Sequence, residues 1–310
     1  MRMRSGIVFA FAIVMAVCGA ASAVEAGLEM KAVEIADGVD IFAGGTLFTT
    51  YKTGASQKYP YFYPVNGPVS GLSVTTESSE PYPHHHSLFF GCDRVNGGNY
   101  WQDTLEAGQI CSSALVIAVS SGKEVIIENE CEWRRPGETP VLRDKRRIRV
   151  SAPKAELRLI DFDITLFPQR DVNIERTNHS LFSARIKPAL SVASGGVLVN
   201  ASGETGEKGT FGEPSPWCDY YGMNGEVREG LAIFQHPANP LYPAPWFTRD
   251  YGFFSPTPLY WPPNESGIGL CGGETLTLRY RVVVHAGTTE EAGVQDLHTA
   301  YAGTTIPIPE

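Results

Sequence analysis

The residues best equipped for chemistry are histidines, and three of the seven stand side by side as His84-His85-His86. On an extended chain His84 and His86 share one face and His85 takes the other, because side chains alternate along a strand. Two imidazoles at that spacing can serve one substrate as acid and base, or one divalent metal. A metal would need further ligands, for which Asp93, His179 and His236 are the candidates. The triplet also fits a plain solvated loop. Asn96 and Trp101 follow it, an amide and a flat ring of the kinds that hold a polar ligand.

A second stretch runs Thr177-Asn178-His179-Ser180-Leu181-Phe182 and on to Arg185. A histidine that follows a strand and faces a cleft can act as general acid or base near neutral pH. The structural alternative is a histidine satisfied by a turn hydrogen bond. A third stretch, Pro214 to Pro263, contains Trp217, Asp219, His236, Trp246, Arg249 and Asp250. From His236 to Pro263 it holds eight prolines and eight aromatics, too many prolines for regular sheet and too many rings for a solvated linker. Stiff aromatic loops of this kind build pocket walls, and flat rings beside carboxylate and guanidinium groups suit a sugar. Arg249 would stabilise developing negative charge, and Asp250 or Asp219 would orient an imidazole or bind hydroxyls. A cap over the open end of a sandwich, with a plain Arg249–Asp250 ion pair, is the structural alternative.

The elements that must position these groups are strands. Leu276, Leu278, Tyr280, Val282 and Val284 alternate with Thr277, Arg279, Arg281 and Val283, the pattern of a half-buried strand. Phe162, Ile164 and Leu166 alternate with Asp161, Asp163 and Thr165; Leu157 and Leu159 are out of phase, which predicts a bulge near Leu159-Ile160. Further strands are expected over 125–133, 141–150, 172–176, 181–187, 197–200 and 230–235. Strands without alternating helices exclude a doubly wound α/β fold. Thr288 or Thr289, Glu290 and Glu291, with Val294, Leu297 and Tyr301 on one face, predict one short C-terminal helix. The expected fold is all-β, one large antiparallel β-sandwich over residues 24–310.

The N-terminus reads as a secretory signal. Arg2 and Arg4 precede a 12-residue apolar run, Ile7 to Cys18, and Ala21-Ser22-Ala23 is an A-x-A cleavage site. A periplasmic or secreted protein, with no stable membrane insertion after cleavage, is the expectation. The longest purely apolar stretch beyond it is Ala114 to Val119. The net charge of −9, with no basic block, makes nucleic acid and anionic membranes poor partners. Cys92, Cys111, Cys131, Cys218 and Cys271 are widely spaced, so a zinc knuckle is not expected, while one or two disulfides could form. No glycine fingerprint calls for a nicotinamide or flavin.

The motifs, in their order, resemble the bacterial PmoA-like family of unknown function, DUF6807. The resemblance rests on Pro83-His84-His85, Val95-Asn96-Gly97 with Trp101, His179-Ser180-Leu181-Phe182 with Arg185, Pro216-Trp217-Cys218-Asp219-Tyr220, His236-Pro237, Pro245-Trp246 and Arg249-Asp250-Tyr251-Gly252. It spans nearly all of the chain after the signal. His86 departs from it, where the family often has arginine, and so does Phe247, where it often has histidine. The methane oxidation suggested by the family's label disagrees with a chain that has no membrane helix beyond its signal. Asn178-His179-Ser180-Leu181-Phe182 is also similar to a motif of galactose mutarotase-like proteins. That similarity implies a β-supersandwich with His179 as a catalytic acid; Glu274 is the nearest candidate for its partner.

Three functions follow. The first is an exported carbohydrate-active enzyme, an epimerase, lyase or hydrolase. Its catalytic residues would be His179, His84, His85, Arg249 and Asp250, and its substrate would be held by Asn96, Trp101, Arg185, Trp217, Asp219, His236 and Trp246. The second is a non-catalytic carbohydrate-binding protein on the same scaffold. The third is a metal-dependent enzyme built on the histidine cluster. No cofactor is indicated beyond that divalent metal, and the expected partner is a small carbohydrate or glycoside.

Overall fold

The computed structural model describes residues 27–177, 181–258 and 267–304. Two sequence expectations, the signal at Met1–Ala23 and the role of His179, lie outside the described residues. Two antiparallel sheets carry most of the rest. The nine-stranded sheet runs in the order Trp246–Arg249, Phe253–Pro256, Leu181–Arg185, Leu88–Gly91, Tyr61–Val65, Thr46–Lys52, Gly38–Ala43, Met30–Ile35 and Ser121–Gly122. The eight-stranded sheet runs Val197–Asn200, Trp217–Asn224, Val227–Gln235, Leu276–Ala286, Leu157–Pro168, Leu142–Lys154, Glu124–Arg134 and Gln109–Val119. A small ribbon pairs Val172–Ile174 with Ile268–Leu270.

The period-2 patterns state which face each strand buries. Phe162, Ile164 and Leu166 are fully buried between the sheets, while Asp161 and Asp163 point outward. The expected bulge is present as a register shift between Leu157 and Leu159. Across the interface Phe162 stacks on Phe182 at 4.9 Å, and Phe182 stacks on Tyr280 at 4.9 Å. Each such aromatic contributes about 1.5–3 kcal/mol by leaving water. One polar knot is embedded here. Arg146 and Asp144 have 0% side-chain exposure; Asp144 also accepts the Trp133 indole N–H, and Arg146 donates to the Tyr51 hydroxyl. A buried ion pair survives only with this degree of hydrogen bonding.

The eight-stranded sheet turns a charged ladder outward. Glu132, Glu130, Glu128 and Glu124 pair across the strands with Arg143, Lys145, Arg147 and Arg149, and Asp161 pairs with Arg281. One end of this face is covered by the C-terminal helix, Val294–Ala302, which buries Val294 and Tyr301 against Trp217, Phe234 and Val283. The helix starts later than its acidic cap suggests. Thr288 and Glu291 bond each other's backbone N–H in a preceding turn, and Gly293, with φ 65°, opens the helix. A five-residue helix, Gly206–Thr210, has no counterpart in the sequence expectations.

The proline-rich third stretch needs one correction. Part of it is regular sheet: Trp246–Arg249 and Phe253–Pro256 pair at the edge of the nine-stranded sheet. The edge strand Trp246–Arg249 holds no proline, and Pro256 is the last residue of its strand, beyond the pairs that Phe253 and Phe254 make with Leu181–Arg185. Gly252 makes the hairpin turn at φ 103°, and a Cβ there would sit 2.8 Å from the Ile186 carbonyl oxygen. Among the described residues no disulfide forms, and no helix is long and apolar enough to cross a membrane.

Candidate functional site

The outward face of the nine-stranded sheet has a different character from the charged ladder. Register puts Lys52, Tyr61, Phe89 and Ser183 in one row across four strands. Arg185, Phe253 and Arg249 form a second row, and Phe247 and Ser255 pair beside it. The histidine loop crosses this face.

His84, His85 and His86 are placed differently from one another. His85 is 2% exposed and is packed in rings. Trp101 stacks on it at 5.5 Å, Tyr82 at 5.1 Å, and Phe253 tilts against it at 4.3 Å. His84 and His86 are half-buried on either side of it. His84 meets Trp101 and Tyr82 edge-on, at 5.6 and 6.1 Å, and the Tyr59 hydroxyl donates to its carbonyl. His86 lies flat on Tyr61 at 5.1 Å.

The tautomer of His86 follows from the one ring hydrogen bond it makes among the described residues. Its Nδ1 is 2.6 Å from the Glu77 carbonyl oxygen, which can only accept, so Nδ1 carries the proton. In the neutral ring Nε2 then holds the lone pair. Burial lowers the His86 pKa, against a smaller upward pull from the Glu77 carbonyl and carboxylate. Burial, and then His86 itself, lowers that of His84. Both shifts favour the neutral imidazole. The Glu77 carboxylate is fixed by Lys52 and by the Tyr61 hydroxyl at 2.7 Å. Burial works against its charge, but these two bonds bring its pKa below the usual value.

A second wall comes from the hairpin turn. Tyr251 tilts against Tyr82 at 5.2 Å and covers the Arg185 guanidinium at 4.5 Å. Arg185 is 1% exposed; it donates to Ser79 Oγ at 3.2 and 2.9 Å and to the Tyr251 carbonyl, tying the histidine loop to the turn. Beside it Arg249 pairs with Glu207 at 2.9 Å and lies over Phe247 and Phe211 at 4.0 and 4.6 Å. Asp250 turns its carboxylate to the backbone N–H of Glu207 at 2.7 Å, so it holds the start of the short helix.

Of the residues singled out in the sequence, the fold gathers His84, His85, Trp101, Arg185, Arg249 and Asp250 around this face. The other candidates sit elsewhere. Asn96 staples its own loop to the chain at Asp171 and Asn173. Trp217 lies under the C-terminal helix, its indole bonded to Gln295 at 3.1 Å. Asp219 does orient an imidazole, but that of His285, on the outward face of the other sheet. His236 faces Tyr301 at 5.1 Å and accepts the Ala238 N–H. Trp246 points between the sheets against Phe254; its neighbour Phe247 faces outward.

His86, weighed in the sequence as the same-face partner of His84, joins the site, and Glu77, Lys52, Tyr61, Tyr82 and Tyr251 join it without having been candidates. His86 and Tyr251 lie inside the motifs noted above. Lys52, Tyr61 and Glu77 come from separate segments; strand register sets Lys52 opposite Tyr61, and the Glu77 carboxylate reaches both from a loop. Among the described residues no three His, Cys, Asp or Glu side chains are grouped as a metal requires. Two cavities lie away from the histidines. One of about 490 Å³ lies along the charged ladder at Glu130, Glu132, Arg143 and Lys145; one of about 340 Å³ is apolar, between Leu166, Leu181, Leu241 and Leu278.

A family model described as a family of unknown function, DUF6807, matches residues 38–299. The chain belongs to that family, whose description names no activity. No curated protein matches the chain. Among solved structures, a proposed aldose 1-epimerase from Escherichia coli K12 is similar at 12% identity, with a TM-score of 0.33 over 83% of this chain and 98% of the other. A proposed kojibiose phosphorylase from the human microbiome gives 6% identity, a TM-score of 0.37 and coverage of 83% and 32%. A polysaccharide lyase gives 9%, 0.32, and 87% and 34%. The chain thus spans about a third of the length of the last two.

Proposed function

We propose that this protein is an exported carbohydrate-active enzyme whose proton transfers are carried by His84 and His86. The supporting observation is the His86 ring, with Nδ1–H committed to a carbonyl and Nε2 left as a base, and a second imidazole, His84, within reach of its electrostatic influence. The neutral His86 ring can take a proton from a sugar carbon or hydroxyl at Nε2, and the imidazolium so formed can return that proton to the substrate or pass it on to His84. Tyr82 and Tyr251 offer flat faces to the C–H side of a ring; the Lys52–Glu77 and Arg249–Glu207 pairs offer charged partners for hydroxyls. His179 enters this proposal only from the sequence, as a further acid. An epimerase, a lyase and a hydrolase would all use these groups.

The Tyr82–Tyr251 pair, its rings tilted together at 5.2 Å with Tyr82 39% exposed, favours a second reading, a sugar-binding platform without turnover. One experiment separates the two. The purified protein is offered a panel of neutral and acidic saccharides, with binding read by calorimetry and conversion by NMR. Conversion that His86→Ala or His84→Ala reduces about 10²–10⁴-fold, while binding persists, supports catalysis. Binding without conversion supports the platform, and conversion unchanged in both variants overturns the histidine assignment.

A further inference from the structure

The four edges of the two large sheets are not alike. Three are blunted by length: Trp246–Arg249 and Val197–Asn200 have four residues each, and Ser121–Gly122 has two. Short edges are a common protection against pairing with another chain. The fourth edge, Gln109–Val119, is 11 residues long and lies at the end of the eight-stranded sheet. Its sequence from Ile110 to Gly122 has no charged residue and no proline, so two other protections are missing as well. The neighbouring strands of the same sheet carry a charge at nearly every outward position.

Among the described residues the strand's free side is open along most of its length. Outside its own sheet the described backbone meets it at Ile110, which donates to the Lys58 carbonyl, and just past its end, where Ser120 accepts the Ala32 N–H. Between these points lies Ala114-Leu115-Val116-Ile117-Ala118-Val119, the longest apolar run after the signal segment. Leu115 and Ile117 turn inward opposite Asn129 and Ile127; Ala114 and Val116 turn outward opposite Glu130 and Glu128. Val116 is 55% exposed and Val119 37%.

We propose that this edge is a self-association surface, on which a second copy of the chain adds the same strand antiparallel about a two-fold axis. Charge favours this occupant. In the pair each Arg–Glu ladder ends on a neutral strand, so the two rows of glutamates stand three strand spacings apart, about 14 Å, beyond the screening length of about 8 Å. The neutral edge of one copy meets the neutral edge of the other, and no like charges are opposed.

Area sets the strength. Eleven residues span about 37 Å, and an edge about 10 Å thick buries about 370 Å² per copy. That is under half of the roughly 800 Å² per partner of a stable interface, so the dimer is weak and concentration-dependent.

Sedimentation velocity of the whole protein, from about 1 to 300 µM, tests this. The expected result is a monomer–dimer equilibrium that the double substitution Ala114→Lys and Val116→Lys weakens at least tenfold, by setting like charges across the axis. Both positions face solvent, and thermal melting checks that the variant is folded. Val69→Lys, at an exposed valine elsewhere, should leave the equilibrium unchanged. Hydrogen exchange of residues 112–119 should slow as wild-type concentration rises. A wild type that stays monomeric throughout overturns the proposal. So does a dimer that ignores the double substitution, or one that Val69→Lys disrupts equally.

Discussion

His285 and His86 sit on the outward faces of opposite sheets. Burial disfavours the charged form of both, yet their proton affinities move in opposite directions. His285 has an acceptor on each ring nitrogen, the Asp219 carboxylate at 3.0 Å and the Ala286 carbonyl at 3.3 Å. Two acceptors demand two N–H donors, and the carboxylate supplies the countercharge, so the pKa rises despite burial. Gly230 leaves room for the ring, since a Cβ there would lie 2.9 Å from its Nε2. Among the described residues His86 has one acceptor, a neutral carbonyl, and its pKa falls. The first arrangement uses the imidazole to hold strands together. The second leaves a nitrogen for other use. A histidine cannot be sorted into either class until its acceptors are known.

The comparison breaks first at Asp219. Asp219→Ala leaves the His285 site without its countercharge and should cost about 3–5 kcal/mol in chemical denaturation. His86→Ala removes one hydrogen bond and should cost only about 0.5–1.5 kcal/mol, whatever it does to turnover. If the two variants lose equal stability, the division between them fails.

A pH titration sharpens it. The folded-state pKa of His285 is raised, so its contribution to stability is complete below its unfolded value of about 6.5. That contribution is lost as pH rises through the folded value. Melting temperature should therefore show a component that declines above about pH 6.5, and Asp219→Asn should remove it. Any turnover by His84 and His86 should behave oppositely. Their lowered values put the acid limb of the rate profile below about pH 6.5, with activity kept as pH rises.

The smallest effect belongs to the ladder. Glu128→Ala breaks an ion pair with Arg147 whose side chains are 49% and 48% exposed. The expected loss is about 0.2–1 kcal/mol, shrinking further in high salt. A larger loss would mean that the ladder acts as one network.

Local periodicity makes the strands legible from the order of the residues alone. The alternation at Leu276–Val284, the phase change near Leu159 and the face of the last helix all depend on neighbours a few residues away, and a side-chain period of two is a property of the backbone itself. The histidine triplet is visible for the same reason, and so is its alternation. What alternation cannot say is which face a strand turns outward and what covers it. Trp246 and Phe247 are adjacent, and only the packing of the second sheet decides that Phe247 faces the histidine side. Trp217 and Asp219 have the right chemistry for a site, but the C-terminal helix and His285 claim them on the far side. Glu77, Lys52 and Tyr61 have no local signal at all: register sets Lys52 opposite Tyr61, and Glu77, which lies on no strand, reaches both through its carboxylate. Residue types and element types are settled by composition and short-range pattern; partnership among side chains is settled by long-range pairing, since a one-residue slip in register would send every one of them to the opposite face.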